Sequence, residues 1–168
     1  MTIGGRCVAI LMCWSGITGA SLVARDAQVE LDRILSRVNG RIVTQSDVRQ
    51  ARLLKLVDDV GSDAAIRRQL ENRLLTLNEV SRAAALPPST DAEMSARRQA
   101  WEAALGGANV ASLLAQVAMN ESDLESWLRD DVRIRAYMQR QFGAIAEPDR
   151  ARAIEQWLSR LRQRAALD

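Results

Sequence analysis

The first clear pattern in the chain is a pair of short β-prone runs that meet at Asn39-Gly40. Ile34–Val38 precedes this dipeptide and Arg41–Thr44 follows it. Asn-Gly between two such runs is the strongest short signal for a hairpin, because a type I′ turn needs a positive φ at both central positions. The pattern therefore predicts one antiparallel hairpin over residues 34–44 and no further β-structure.

A capping box follows the hairpin and predicts the start of a first helix. Thr44 and Asp47 are spaced so that each side chain can bond a backbone N–H group that the first helical turn leaves unpaired. Apolar residues then recur at a regular short spacing, and Gly61 is expected to end the helix. The apolar positions are Val48, Ala51, Leu54 and Val57.

The second helix is predicted to be long. Ser62 is placed to cap its start, and an apolar stripe at the helical period continues to Leu86, where Pro87-Pro88 stops it. The stripe consists of Ile66, Leu70, Leu74, Leu77 and Val80. The charged residues expected mostly to face water are Arg67, Arg68, Glu71, Arg73 and Glu79.

Four further helices follow, and most of them begin at a recognisable cap. Thr90 and Asn120 each open a capping box, Asn109 is a single cap, and Pro148 suits a first turn. Gly106-Gly107 and Gly143 are expected to close two of them. The apolar positions are Met94, Trp101 and Leu105, then Val110, Leu113, Leu114 and Val117, then Leu124, Trp127, Leu128, Val132, Met138 and Phe142, and finally Ile154, Trp157, Leu158, Leu161 and Ala165. The pattern predicts a mainly α protein of helical hairpins, with the β-hairpin packed on them.

The segment before the hairpin has the layout of a signal peptide. Met1–Arg6 carries the α-amino group and one arginine, and the uncharged stretch Cys7–Ala24 follows. Cleavage is expected after Ala24, with Ala20 and Ala27 as alternatives. An uncleaved anchor is the alternative interpretation, since roughly 18 uncharged residues can just span a bilayer. We therefore expect a protein exported from a bacterial cytoplasm.

The composition excludes several kinds of catalytic site. The chain has no histidine, so a histidine triad, proton shuttle or zinc ligand is ruled out. Cys7 and Cys13 both lie in the predicted signal peptide, so the mature chain would have no thiol. The adjacent pairs Asp58-Asp59 and Asp130-Asp131 are expected to be solvated, because neighbours on a helix point in different directions. Lys55 alone is left as a base for a hydroxyl nucleophile, and we expect neither catalysis nor a metal or cofactor.

The charge balance argues against a nucleic-acid partner. The chain has 23 Lys and Arg residues against 21 Asp and Glu residues, for a net charge of +2. All basic residues except Lys55 are arginines, and they are interleaved with acids along the predicted helices. Affinity for phosphates needs a surplus of positive potential. A solvated surface of mixed charge is therefore expected.

Three tryptophans on different predicted helices admit two interpretations. Trp101, Trp127 and Trp157 are either core residues of the bundle or part of an apolar groove that holds unfolded segments. Methionines would help such a groove adapt to varied side chains. The sequence leaves both interpretations open. The candidate binding residues are Met94, Trp101, Leu105, Leu113, Leu114, Trp127, Tyr137 and Met138.

The run Val38–Val48 resembles the hairpin-to-helix transition of SurA-type periplasmic chaperones and related parvulin-linked foldases. Ser122–Phe142 resembles the final helix of the N-terminal chaperone domain of that family. The resemblance covers about Leu31–Phe142. The terminal helix, about 148–166, is similar to the piece that returns to this domain after the catalytic domains. The implied organisation is one helical domain over residues 25–168.

The resemblance implies a chaperone core without an isomerase. The relatives carry parvulin domains between the two parts, and here Gly143–Pro148 stands in their place. An ATP-independent periplasmic chaperone that binds unfolded exported or outer-membrane proteins is implied, with no catalytic residue to carry over. The alternatives are an adaptor or structural subunit with one dedicated envelope partner, or an accessory to a separate parvulin. After signal cleavage no stable membrane insertion is expected.

Overall fold

The computed structural model describes residues 32–58, 61–83 and 87–165. Within these ranges the chain is mainly α, as predicted, with one antiparallel hairpin before six helices. The elements are β1 (Ile34–Val38), β2 (Arg41–Thr44), α1 (Gln45–Leu53), α2 (Asp63–Arg82), α3 (Asp91–Leu105), α4 (Val110–Gln116), α5 (Glu121–Phe142) and α6 (Asp149–Arg164). None of these helices combines the length and hydrophobicity that crossing a bilayer requires. The predicted signal peptide with Cys7 and Cys13, and also Asp59 and Leu86, lie outside the described residues.

The hairpin has the predicted strands and the predicted turn. Asn39 and Gly40 adopt φ values of 48° and 79°, as a type I′ turn requires. Val38 pairs with Arg41, and further along the ladder Arg37 pairs with Ile42. The inward positions of the two strands are buried against the helices, which gives the short sheet the packing partner that an isolated hairpin lacks.

Helix α1 ends well before Gly61, contrary to the prediction. Lys55 takes a left-handed φ of 47°, and the N–H groups of Lys55 and Leu56 bond to the carbonyls of Arg52 and Ala51 at 3.2 and 2.9 Å. This pair of bonds is the Schellman arrangement, here with lysine where glycine is usual, which is why the sequence did not reveal it. The predicted stripe members that lie beyond the helix are Leu54 and Val57.

The starts of the helices were predicted more accurately than their ends. Thr44, Thr90 and Asn120 form complete capping boxes, and Ser62 and Asn109 each accept a bond from a first-turn N–H group. A cap depends on one polar side chain at a fixed spacing, and a sequence shows such a residue directly.

The ends of the helices depart from the predictions at several places. Gly106 closes α3 in the expected left-handed conformation, whereas Gly143 stays in the right-handed region at φ −62°. Helix α2 already ends at Arg82, Val117 lies just beyond α4, and Pro148 is the cap of α6 rather than part of its first turn. Carbonyl groups at a helix end accept bonds from many kinds of residue, so the sequence specifies the end weakly.

The core consists of three clusters of buried residues, and α2 contributes to two of them. The first cluster joins the end of α1 to α3, α4 and α5, the second joins the hairpin to α1 and α2, and the third joins the hairpin to α2 and α6. In the third cluster Leu161 and Ala165 lie against Val38 and Leu75. The terminal helix therefore packs back on the hairpin, as predicted.

Candidate functional site

Helices α2, α3 and α5 are joined by one carboxylate between two guanidinium groups. Arg73 pairs with Asp131, and Arg97 Nε and Nη2 lie 2.9 and 2.5 Å from the other carboxylate oxygen. The three side chains are only 10–13% exposed. The prediction that Arg73 faces water and that Asp131 is solvated is therefore wrong. Each residue was judged on its own helix, whereas its surroundings depend on which helix packs against that face.

Arg73 also holds the side chain of Trp127. Its guanidinium carbon lies 3.8 Å from the centroid of the Trp127 ring, and Nη2 donates to the Trp127 carbonyl at 2.8 Å. Burial lowers the pKa of Arg73, an effect that the nearby Asp131 carboxylate opposes. The stacking of a cation on the ring and the bond to its backbone together fix the orientation of the tryptophan.

An open groove lies between the hairpin, α2 and the first half of α5, and we call it the hairpin groove. Its volume is about 330 Å³. Apolar side chains from six segments form much of its surface, and polar residues are interspersed with them. The lining residues that matter below are Val43, Leu70, Leu74, Met119, Trp127 and, at the edge, Ser126.

A second groove, which we call the helix groove, lies on the other side of Arg73. It has a volume of about 490 Å³ and a similar balance of polar and apolar surface, with Arg97, Asp131 and Arg135 among its lining residues. Met138 and Leu158 supply apolar surface there. Because Arg73 lines both grooves, the ion pairs that position it also shape the wall between them.

Four of the eight candidate binding residues are in the core. Trp101 is 1% exposed, and its indole N–H donates to the Leu54 carbonyl at 2.7 Å. This bond closes the end of α1 against α3. Trp101 is therefore a core residue, which is the first of the two interpretations given above. The other buried candidates are Leu105, Leu114 and Tyr137.

The other four candidates are partly buried, and two of them line a groove. Trp127 lines the hairpin groove and Met138 lines the helix groove. Met94 and Leu113 pack against the first core cluster. Trp157, the third tryptophan weighed above, lies between Tyr137 and Phe142, with ring centroids 6.1 and 5.7 Å apart. The structure thus brings only part of the predicted set to a surface.

Sequence reasoning missed Arg73, although it lies directly beside Leu74 of the predicted stripe. An arginine at the edge of an apolar stripe is a usable signal, because its long stem can pack while its head finds a carboxylate. The carboxylate itself is not foreseeable from spacing within one helix. Glu71 and Glu79, also expected mostly to face water, are partly buried as well.

The described residues offer little for acid–base or metal chemistry. Within 32–58, 61–83 and 87–165, no three carboxylates come together as a metal site would require. Lys55 Nζ donates to the Ala104 carbonyl at 2.8 Å, at the end of α3. Asp58 is held through its backbone by the Gln69 side chain, at 3.1 and 3.0 Å. The grooves are therefore the features that suggest a function.

Comparisons with known proteins add no relative. Family models, curated proteins and solved structures gave no match to the chain. The resemblance to SurA-type chaperones, which rests on Val38–Val48, Ser122–Phe142 and the terminal helix, therefore stays a prediction from the sequence. The local geometry that Val38–Val48 was expected to adopt, two strands, a tight turn and a capped helix, is present.

Proposed function

We propose that this protein is an ATP-independent periplasmic chaperone that binds unfolded segments of exported proteins in the hairpin groove. The observation that carries the proposal is an open groove, lined largely by apolar side chains, between the hairpin, α2 and α5. Its volume falls in the range of roughly 300–1,000 Å³ that is typical of ligand clefts. An apolar side chain that leaves water for such a groove gains about 25 cal/mol for each Å² buried.

Three of the polar residues that line the hairpin groove favour broad selectivity. Asp47 and Asp123 accept bonds from the backbone N–H groups of Thr44 and Asn120, and Gln50 donates to a backbone carbonyl. These groups already have partners inside the protein. An occupant therefore does not have to supply particular polar groups to satisfy them, and apolar character becomes the main requirement.

The walls of the groove combine a fixed surface with an adaptable one. Arg73 holds the Trp127 ring in place, so binding does not have to order that side chain. Met119 lies near it and is unbranched, which lets it adjust to occupants of different shape. Affinity is expected to be weak, since an ATP-independent chaperone must release its client spontaneously.

The test is suppression of aggregation. The protein is added in several-fold molar excess to an unfolded outer-membrane protein, and light scattering is followed. We expect the wild-type protein to reduce the scattering, and Ser126→Tyr, which places a ring at the edge of the hairpin groove, to lose much of that effect. The matched control is Ser95→Tyr, because Ser95 is exposed on α3 and lines neither groove. No suppression by the wild-type protein would reject the proposal.

Two related measurements separate the chaperone from its rivals. A pull-down that recovers many exported proteins supports the proposal, whereas one stoichiometric partner supports a dedicated adaptor. Co-purification with a parvulin would indicate an accessory role. The purified chain should not accelerate cis/trans isomerisation of a prolyl peptide, and measurable acceleration would show that it is an enzyme.

A further inference from the structure

The positive charge of the chain is concentrated in the hairpin and α1. Residues 32–57 contain six basic side chains and two carboxylates, whereas the whole chain has a net charge of +2. The interleaving of arginines with acids expected from the sequence is therefore a property of the later helices. Most arginines of α2–α6 lie within 4.0 Å of a carboxylate.

Both carboxylates of this cationic segment are engaged locally. Asp32 accepts a bond from the Ser46 backbone N–H at 3.0 Å and another from the Ser46 hydroxyl, and Asp47 caps α1. Arg52 pairs with Asp63 of α2. The remaining arginines are all exposed, and none forms an ion pair with another described residue. These are Arg33, Arg37, Arg41 and Arg49.

The same hairpin exposes two large apolar side chains. Ile34 is 55% exposed and Ile42 is 47% exposed. They are the only large hydrophobic residues in the described ranges that are exposed to this extent. Ile42 lies directly opposite Arg37 in the ladder, so the two side chains share one face of the sheet. A surface that combines unpaired arginines with exposed isoleucines suits a partner that is both anionic and apolar.

We propose that the hairpin docks this protein peripherally on an anionic phospholipid surface. Guanidinium groups bind headgroup phosphates through paired hydrogen bonds, and the isoleucines enter the apolar layer just beneath. A nucleic acid would leave the isoleucines without partners along its phosphate backbone. An acidic polypeptide is the other candidate, but Arg33, Arg37 and Arg49 lie before β1, on β1 and on α1, which favours an extended charged surface over a single narrow strand. Arg41 pairs with the buried Val38 and lines the hairpin groove, so it lies on the opposite face of the sheet from Arg37.

Vesicle sedimentation tests the docking with the purified protein. We expect more binding to vesicles of phosphatidylglycerol and phosphatidylcholine than to phosphatidylcholine alone, at about 0.01 M salt. Raising the salt to about 1 M shortens the screening length from about 30 Å to about 3 Å and should abolish the difference. The uncharged N-terminal stretch can partition into either vesicle, so the difference between the two vesicles is the quantity that decides.

Paired substitutions locate the binding surface. Each arginine is expected to contribute about fivefold to partition onto the anionic vesicle, so Arg33→Gln with Arg37→Gln should weaken it about 25-fold. Neither residue lines a groove, so suppression of aggregation in lipid-free solution should be unchanged. The matched control is Arg68→Gln with Arg140→Gln, which removes the same charge from exposed positions on α2 and α5. Ile34→Ser should also weaken binding.

Several outcomes would overturn the proposal. Equal binding to both vesicles shows that the headgroup charge is not recognised. An equal loss in the two double variants shows that net charge matters and the hairpin does not. Binding of polyglutamate that depends on Arg33 and Arg37, without binding of anionic vesicles, identifies an acidic polypeptide as the occupant instead. Circular dichroism of each variant establishes that a loss of binding is not a loss of fold.

Discussion

Asp131 is the residue on which the contacts among three helices depend. It receives Arg73 from α2 and Arg97 from α3, and all three side chains are nearly buried. Taking such charges out of water is costly, and their mutual attraction offsets that cost only while every partner is present. Removing one of the three side chains is therefore expected to lower the free energy of unfolding by more than the three together contribute to it.

Asp131→Asn is expected to destabilise the protein by about 3 to 5 kcal/mol, because two buried guanidinium groups would lose their counter-charge. Chemical denaturation by urea measures this free energy of unfolding. The matched control is Asp130→Asn, the same change at the adjacent residue. Asp130 pairs only with the partly exposed Arg133 at 3.3 Å, so its loss should cost less than about 1 kcal/mol. Similar losses for the two variants would contradict the role given to Asp131.

At this scale the sequence shows residue types but not their partners. That Asp130 and Asp131 point in different directions follows from helix geometry, and the structure agrees. What the sequence does not contain is the packing of α2 against α5, which brings Arg73 to one of the two carboxylates and leaves the other nearer to water. Spacing along one helix says nothing about a neighbour 58 residues away.

At the scale of the elements, the sequence predicts a helix boundary well where a side chain forms the hydrogen bond that caps it. Thr90 and Glu93 illustrate this, since a Glu93 oxygen accepts from the Thr90 backbone N–H at 2.8 Å and the Thr90 hydroxyl accepts from the Glu93 backbone at 3.2 Å. At the end of α1 no comparable residue exists. Lys55 adopts a conformation usually given to glycine, because Leu56 is buried in the first core cluster immediately after it.

We expect the contribution of the Glu93 cap to the free energy of unfolding to depend on pH. The bond from the Thr90 backbone N–H lowers the pKa of Glu93 below its ordinary value of 4.5. A carboxylate whose pKa is lower in the folded state stabilises the fold. This stabilisation is fully present when the pH is above the pKa of the unfolded state, and it is lost as the pH falls through the pKa of the folded state. Glu93→Gln should therefore reduce the free energy of unfolding at neutral pH and have little effect in strong acid.

Urea denaturation of Glu93→Gln and the wild type at about pH 7 and about pH 2.5 measures this difference. Glu125→Gln serves as the control, because Glu125 makes a surface pair with Arg129 and its loss should change stability by less than about 0.5 kcal/mol. A difference between Glu93→Gln and the wild type that is the same at both pH values would show that the carboxylate charge is not what stabilises α3.

For the whole molecule, the sequence predicts the architecture better than the site. Apolar stripes and caps were enough to predict a mainly α fold with a hairpin that α6 covers. The hairpin groove draws its lining from the hairpin, α1, α2, α5 and the segments after α1 and α4. A surface shared by so many elements depends on their relative placement, which no single run of residues specifies.

The two proposed surfaces differ in chemistry and meet at Arg41 and Ile42, which line the hairpin groove. The apolar walls of the hairpin groove suit unfolded chain segments, and the arginines of the hairpin suit a charged layer. Trp127 and Arg73 form the fixed wall of that groove, and Arg73 is in turn positioned by Asp131. Client binding should therefore be sensitive to the buried ion pairs, although Asp131, which both pairs share, does not line the hairpin groove.

Site-specific photocrosslinking tests the proposed client groove most directly. A photoreactive residue is placed at Ser126, at the edge of the hairpin groove, or at Ser95 on the exposed side of α3, and each protein is mixed with an unfolded outer-membrane protein. We expect crosslinks to the unfolded client from position 126 and few from position 95, with none to the same client once it is folded. Equal crosslinking from both positions, or none from position 126, would contradict the assignment of the hairpin groove as the binding site.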